Sequence, residues 1–208
     1  MKNINKNIHF KNFMLACLCG LLICGVYSTV HFSANCDGIR NRVLRLHILA
    51  NSNDALDQEV KLKVRDAILE EGKSIFDGSV QVETAEEKLK AEIPRLEAVA
   101  NRVLAENGFS YQSKISVGKS FFTTRTYDNK ATLPAGTYTA VRVLLGEAKG
   151  KNWWCVMFPP MCLPSVQNEV TLEDVLEEEE GKIVESSPKF EVRFKIVEVF
   201  EKILEKTK

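Results

Sequence analysis

The segment from Tyr138 to Leu163 constrains the fold more than any other part of the chain. Tyr138 to Leu145 (YTAVRVLL) is rich in β-branched and aromatic residues and reads as a strand. Gly146-Glu-Ala-Lys-Gly-Lys151 interrupts it with two glycines among charged residues, and Asn152 to Phe158 (NWWCVMF) resumes the strand pattern. Pro159-Pro160 stops it, because proline has no N–H to give to a sheet ladder. The expectation is a β-hairpin whose exposed basic tip carries Lys149 and Lys151. Adjacent Trp153 and Trp154 must point to opposite faces of their strand, so one core layer cannot hold both. Cys155 and Cys162 flank the two prolines. Either they form a disulfide across a tight reversal, or one is a buried thiol and the other a loop thiol.

The N-terminus has a different character. Lys2, Lys6 and Lys11 make a positive start without an acid, and Phe13 to Val30 carries no charge. That length lies between a signal-peptide core and the roughly 20 apolar residues of a spanning helix. Residues 1–36 therefore read as a signal peptide or an uncleaved membrane anchor through residues 13–30, with everything after it outside the cytoplasm. Residues 37–208 are long enough for one domain of ordinary size. Lys+Arg and Asp+Glu both number 28, so no basic excess points to nucleic acid.

Within the domain, Val43 to Ala50 alternates as a strand, with Leu44, Leu46 and Ile48 on one face and Arg45 and His47 on the other. Asn51-Ser-Asn-Asp54 is a turn, and Glu59 to Glu71 is an amphipathic helix carrying Val60, Val64, Ala67 and Ile68, with Gly72 just past its end. Thr84-Ala-Glu-Glu87 is a capping box for a second helix, which Pro94 should kink or divide. Phe109 to Val117 and Phe121 to Tyr127 read as two strands joined at Gly118-Lys-Ser120, and Asp128 to Gly136 as loop. Thr171 heads a short helix ending in Glu177 to Glu180, a run read as a solvated face. From Ser187-Pro188 an amphipathic helix follows, although residues 189–196 also alternate as a strand would. The fold class is α+β: an antiparallel meander or hairpin with amphipathic helices.

No catalytic set stands out. His47 is the one histidine of the domain, and with Cys155 and Cys162 it supplies too few ligands for zinc without help from carboxylates. Gly146-x-x-x-Gly150-Lys151-Asn152 is one residue short of a phosphate loop, and a strand rather than a helix follows it. His47 with acidic neighbours would suit a hydrolase, and an exposed tryptophan would suit sugar stacking. A cell-wall hydrolase and a peptidoglycan-binding module are thus the rival readings, and neither metal nor cofactor is called for.

Three ordered blocks resemble the stage II sporulation protein R family. They are Arg45-Leu-His-Ile-Leu-Ala-Asn-Ser-Asn-Asp54 with Lys61-Leu-Lys-Val-Arg-Asp66, then Pro134-Ala-Gly136 with Ala140-Val-Arg142, then Lys151-Asn-Trp-Trp-Cys155 with Phe158-Pro-Pro160 and Cys162. The resemblance implies a non-enzymatic signalling protein, exported from the forespore toward the space between the two cells. Its implied partner is the membrane-embedded aspartic protease that processes pro-sigma-E. The motif positions Arg45, His47, Asn51, Arg65, Asp66, Arg142, Trp153 and Trp154, together with Lys149 and Lys151 at the tip, become the candidate binding residues.

Overall fold

A computed structural model describes residues 2–73, 82–127, 131–159, 161, 172–185, 194–195 and 197–199. The chain divides into two units, Met1–Asp37 and Gly38–Lys208. The first is helical throughout its described length and belongs to α1, Lys2–Arg42. Its apolar side chains, Phe13, Leu18, Leu22, Ile23 and Val30 among them, are exposed. Among the described residues this is the one helix long and apolar enough to cross a membrane, and it is compatible with a signal sequence or an anchor.

The second unit is built on a four-stranded sheet in the order β2-β5-β1-β6, made of β1 (Leu44–Leu49), β2 (Ser113–Phe122), β5 (Gly136–Leu145) and β6 (Asn152–Phe158). A short hairpin of β3 (Arg125–Tyr127) and β4 (Ala131–Leu133) stands apart from it. The class is mixed helix and sheet, and antiparallel pairing prevails, as the alternating patterns require. The two strands around Gly146–Lys151 nevertheless do not pair with each other. β1 lies between them, parallel to β5 and antiparallel to β6. The turn passes over the end of β1, where Lys149 and Gly150 donate backbone N–H groups to the carbonyls of Asn51 and Ala50 at 3.0 and 2.9 Å. LRLHIL is buried along nearly its whole length, with Leu44, Leu46 and Ile48 in the hydrophobic core and Arg45 against Phe122, Tyr127 and Tyr138 on the opposite face.

Helices α2 (Ala55–Lys73) and α3 (Val82–Glu106) pack against each other, and α3 lies along β2. They cover the face formed by Leu44, Leu46 and Ile48, joined by Val141, Val143 and Leu145 from β5. Val60, Val64 and Ile68 of α2 are buried there, each stabilising by about 1.5–3 kcal/mol relative to exposure. Gly72 lies inside α2 rather than past its end. The Met157 side chain occupies the place a Cβ would take, so the residue serves close packing and not termination. α3 continues through Pro94 as one helix, and it begins at Val82, which puts Thr84 inside it instead of at its cap. β2 runs unbroken through Gly118, where a hairpin was expected, because all ten of its residues find partners on β5. The side chains of Asn101 and Glu97 on α3 accept the N–H groups of Ser113 and Ile115 on its outer edge.

α4 (Leu172–Val175) and α5 (Glu178–Val184) follow. The glutamate run is not wholly solvated: Glu180 is buried, accepts from the Glu177 N–H and pairs with Arg42. Cys155 is buried and disulfide-bonded, while its expected partner Cys162 lies outside the described residues. Thr171 and most of the expected C-terminal helix also lie outside them.

Candidate functional site

Register places side chains of neighbouring strands in rows across a sheet. His47 is opposite Arg142 on β5 and Trp154 on β6, so these three point to the face that α2 and α3 leave uncovered. Arg45 is two residues along β1 and shares that face. The hairpin β3–β4 supplies Arg125 and Tyr127 to it, and β2 and β5 supply Phe122 and Tyr138.

Arg45 is fully buried. Its Cζ lies 4.4 Å from the Phe122 ring centroid, 4.9 Å from Tyr138 and 5.4 Å from Tyr127. Nη2 donates to the Tyr127 hydroxyl at 2.6 Å, while Nε and Nη1 have no hydrogen-bond partner. Burial pushes this guanidinium below its ordinary pKa, and the two tyrosines partly offset that. Three ring faces stand in for the carboxylate that a buried arginine ordinarily holds.

The His47 ring lies flat on Trp154, with centroids 3.7 Å apart and planes 6° from parallel, and meets Phe122 edge-on at 6.4 Å. Nε2 donates to Asn152 Oδ1 at 2.8 Å, which fixes the proton on that nitrogen in the neutral ring. Burial lowers the His47 pKa and Arg142 and Arg125 lower it further, with the Asn152 bond opposing them. Arg125 lies over the Trp154 ring at 5.4 Å. Among the described residues no serine, cysteine or carboxylate is bonded to His47, so the pairing expected of a nucleophile and its base is not formed there. No group of three metal-ligating side chains stands together among the described residues either.

The other expected residues fall elsewhere. Asn51 is a clamp: its Nδ2 donates to Asp57 at 2.9 Å and its Oδ1 accepts from the Glu147 N–H at 2.9 Å. Tyr111 donates to the second Asp57 oxygen at 2.6 Å. Burial alone would raise the Asp57 pKa, but hydrogen bonds from Ser52, Tyr111 and Asn51 outweigh it and lower the value. Arg65 binds Asp66 and covers Trp153 at 4.6 Å on the helix side of the sheet. Lys149 pairs with Glu147 at 2.6 Å in full solvent, and the Lys151 carbonyl accepts from Lys61 Nζ at 3.1 Å. At the tip Lys149 thus carries its own counter-charge. Sequence reasoning missed Phe122, Arg125, Tyr127 and Tyr138 as site residues. The polar-aromatic run from Phe121 to Tyr127 was the available signal, but only the topology sets it beside β1.

The family model described as stage II sporulation protein R matches residues 40–168, more than half of the chain. The chain belongs to the stage II sporulation protein R family. The match begins at Arg40, whose guanidinium donates to the Ala135 carbonyl, and it takes in all four strands of the sheet and every candidate residue above. Stage II sporulation protein R of Bacillus subtilis (strain 168) is 32% identical over 144 residues, 69% of this chain. The matched stretch spans 64% of that relative's length. No solved structure matches the chain. The family is named for a stage of sporulation and not for an enzymatic activity.

Proposed function

We propose that this chain is an exported sporulation signal that activates the membrane-embedded aspartic protease processing pro-sigma-E, and that it does so by direct protein contact. The observation that carries the reading is the sheet face opposite α2 and α3, where Arg125 and Arg142 are exposed and Trp154 is half-buried. Arg45, His47, Arg142 and Trp154, three of them in one row, sit there with Phe122 and Arg125. Tryptophan, tyrosine and arginine are the residues that dominate protein-binding hot spots. The apolar α1 supports the exported topology, and membership of a sporulation family supports the process. Partner contact, rather than a reaction centre, is what such a surface serves best.

Co-expression of the protease and pro-sigma-E in a non-sporulating host tests the reading. Processing should require this chain, and Trp154→Ala should abolish it in a folded protein. Processing that proceeds equally without the chain would overturn the proposal.

A further inference from the structure

On the second unit, several arginines hold acids: Arg42 pairs with Glu177 and Glu180, Arg65 with Asp66, and Arg95 with Glu71 and Glu92. Arg45, Arg125 and Arg142 are different. Arg142 and Arg125 act on His47, Arg125 also lies over Trp154, and Arg45 is buried two residues along β1 on the same face; no described carboxylate pairs with any of them. Two are exposed, and Arg45 beneath them is fully buried with two donors unused. Arg45 is desolvated with Arg125 acting against its charge, and Arg142 and Arg125 both disfavour a proton on His47, so an arriving counter-charge is favoured here. Trp154 lies among them with its ring held against His47, Phe122 and Arg125. Among the described strands β6 lies at the edge, and at Asn152–Trp154 no described residue pairs with its outer side. Arg142 and Trp154 stand two strands apart, a span of about 10 Å that suits a chain segment better than a single small ion.

We infer that this face receives an extended acidic segment of a protein partner, laid along the open end of β6 with its carboxylates at Arg125 and Arg142. An arginine fork takes a carboxylate through two parallel hydrogen bonds, which adds direction to attraction. Main-chain groups at Asn152–Trp154, which no described residue pairs on the outer side, add pairing that neither a lipid headgroup nor a glycan strand reproduces. The inference rests on the activator reading for its choice of partner, since it names the chemistry by which that partner would be recognised.

The test uses the full chain in detergent micelles. Its probes are short synthetic peptides spanning the extracytoplasmic loops of the protease, each made with its Asp and Glu residues and again with Asn and Gln. An acidic peptide should bind at least about tenfold more tightly than its amide counterpart, and added salt should weaken it. Arg125→Glu and Arg142→Glu should each remove that preference, and a peptide with Lys in place of the acid should restore binding to the reversed-charge proteins. Both arginines are exposed, so circular dichroism should show the variants folded. Equal binding of acidic and amide peptides would overturn the inference. So would arginine-dependent binding confined to phosphatidylglycerol vesicles or to peptidoglycan sacculi. Processing in the co-expression assay separates the two claims. If the chain triggers processing and the charge reversals leave it unchanged, the surface is wrong and the activator reading stands. If peptides bind as expected while the wild-type chain triggers nothing, the activator reading fails and the surface stands.

Discussion

His47 is held as a neutral donor, and this has a consequence that titration can read. Its pKa lies below the ordinary value of 6.5 because charging it inside the sheet face is costly. The unfolded chain therefore takes up a proton first as pH falls. Stability from this group is whole above about pH 6.5 and is lost as pH falls through the folded-state value. Thermal melts from pH 8 to 5 should show this loss in wild type and a flatter profile in His47→Gln, whose amide can still donate to Asn152. That variant should also retain most of its ability to trigger processing. Asn51 joins β1, α2 and the turn after β5, so Asn51→Ala leaves the Glu147 N–H and an Asp57 oxygen without their bonds. A cost of about 1–3 kcal/mol in urea unfolding is expected. The two tryptophans divide by face. Trp153 packs on the core under Arg65 with its Nε1 buried and unpartnered, and Trp153→Ala should cost about 3 kcal/mol. Trp154→Ala should cost less in stability and abolish processing. Unfolding curves paired with the co-expression assay distinguish the two.

At the scale of elements, β2 contains an interior glycine that packing does not demand. A Cβ built on Gly118 meets nothing within 4 Å, and a glycine costs a strand through its freedom in the unfolded chain. Gly118→Thr should therefore stabilise the protein by up to about 1 kcal/mol, read as a higher denaturation midpoint. The same residue shows where the sequence misleads. Gly118-Lys-Ser120 has the composition of a turn, yet the strand passes straight through it because β5 offers a partner at every position. Alternation of Leu44, Leu46 and Ile48 against Arg45 and His47 was legible, since period-two patterning is local. So were the stripe of Val60, Val64 and Ile68 and the opposed directions of Trp153 and Trp154. The insertion of β1 between β5 and β6 was not legible, because strand order is decided by residues about a hundred positions apart. That one topological fact separates Asn51 and Lys149, which hold a turn together, from Arg45, His47, Arg142 and Trp154, which share the sheet face opposite the helices.

For the molecule as a whole, the central strand is the first to be made, and its neighbours come last. Leu46 pairs with Val141 on one side and Cys155 on the other. Removing β6 by ending the chain at Gly150 should leave the sheet without one flank and the domain unfolded, seen as loss of the far-ultraviolet strand signal and rapid proteolysis. Contacts so distant in sequence form late, because loop closure must precede any gain from pairing. A domain threading outward from its β1 end would thus stay pliable through nearly its whole passage, with β1 waiting on the far side for strands not yet delivered. The fold locks only when Phe158 has arrived. In the exported reading, a half-delivered copy is silent rather than weak, and the message becomes active only on complete delivery.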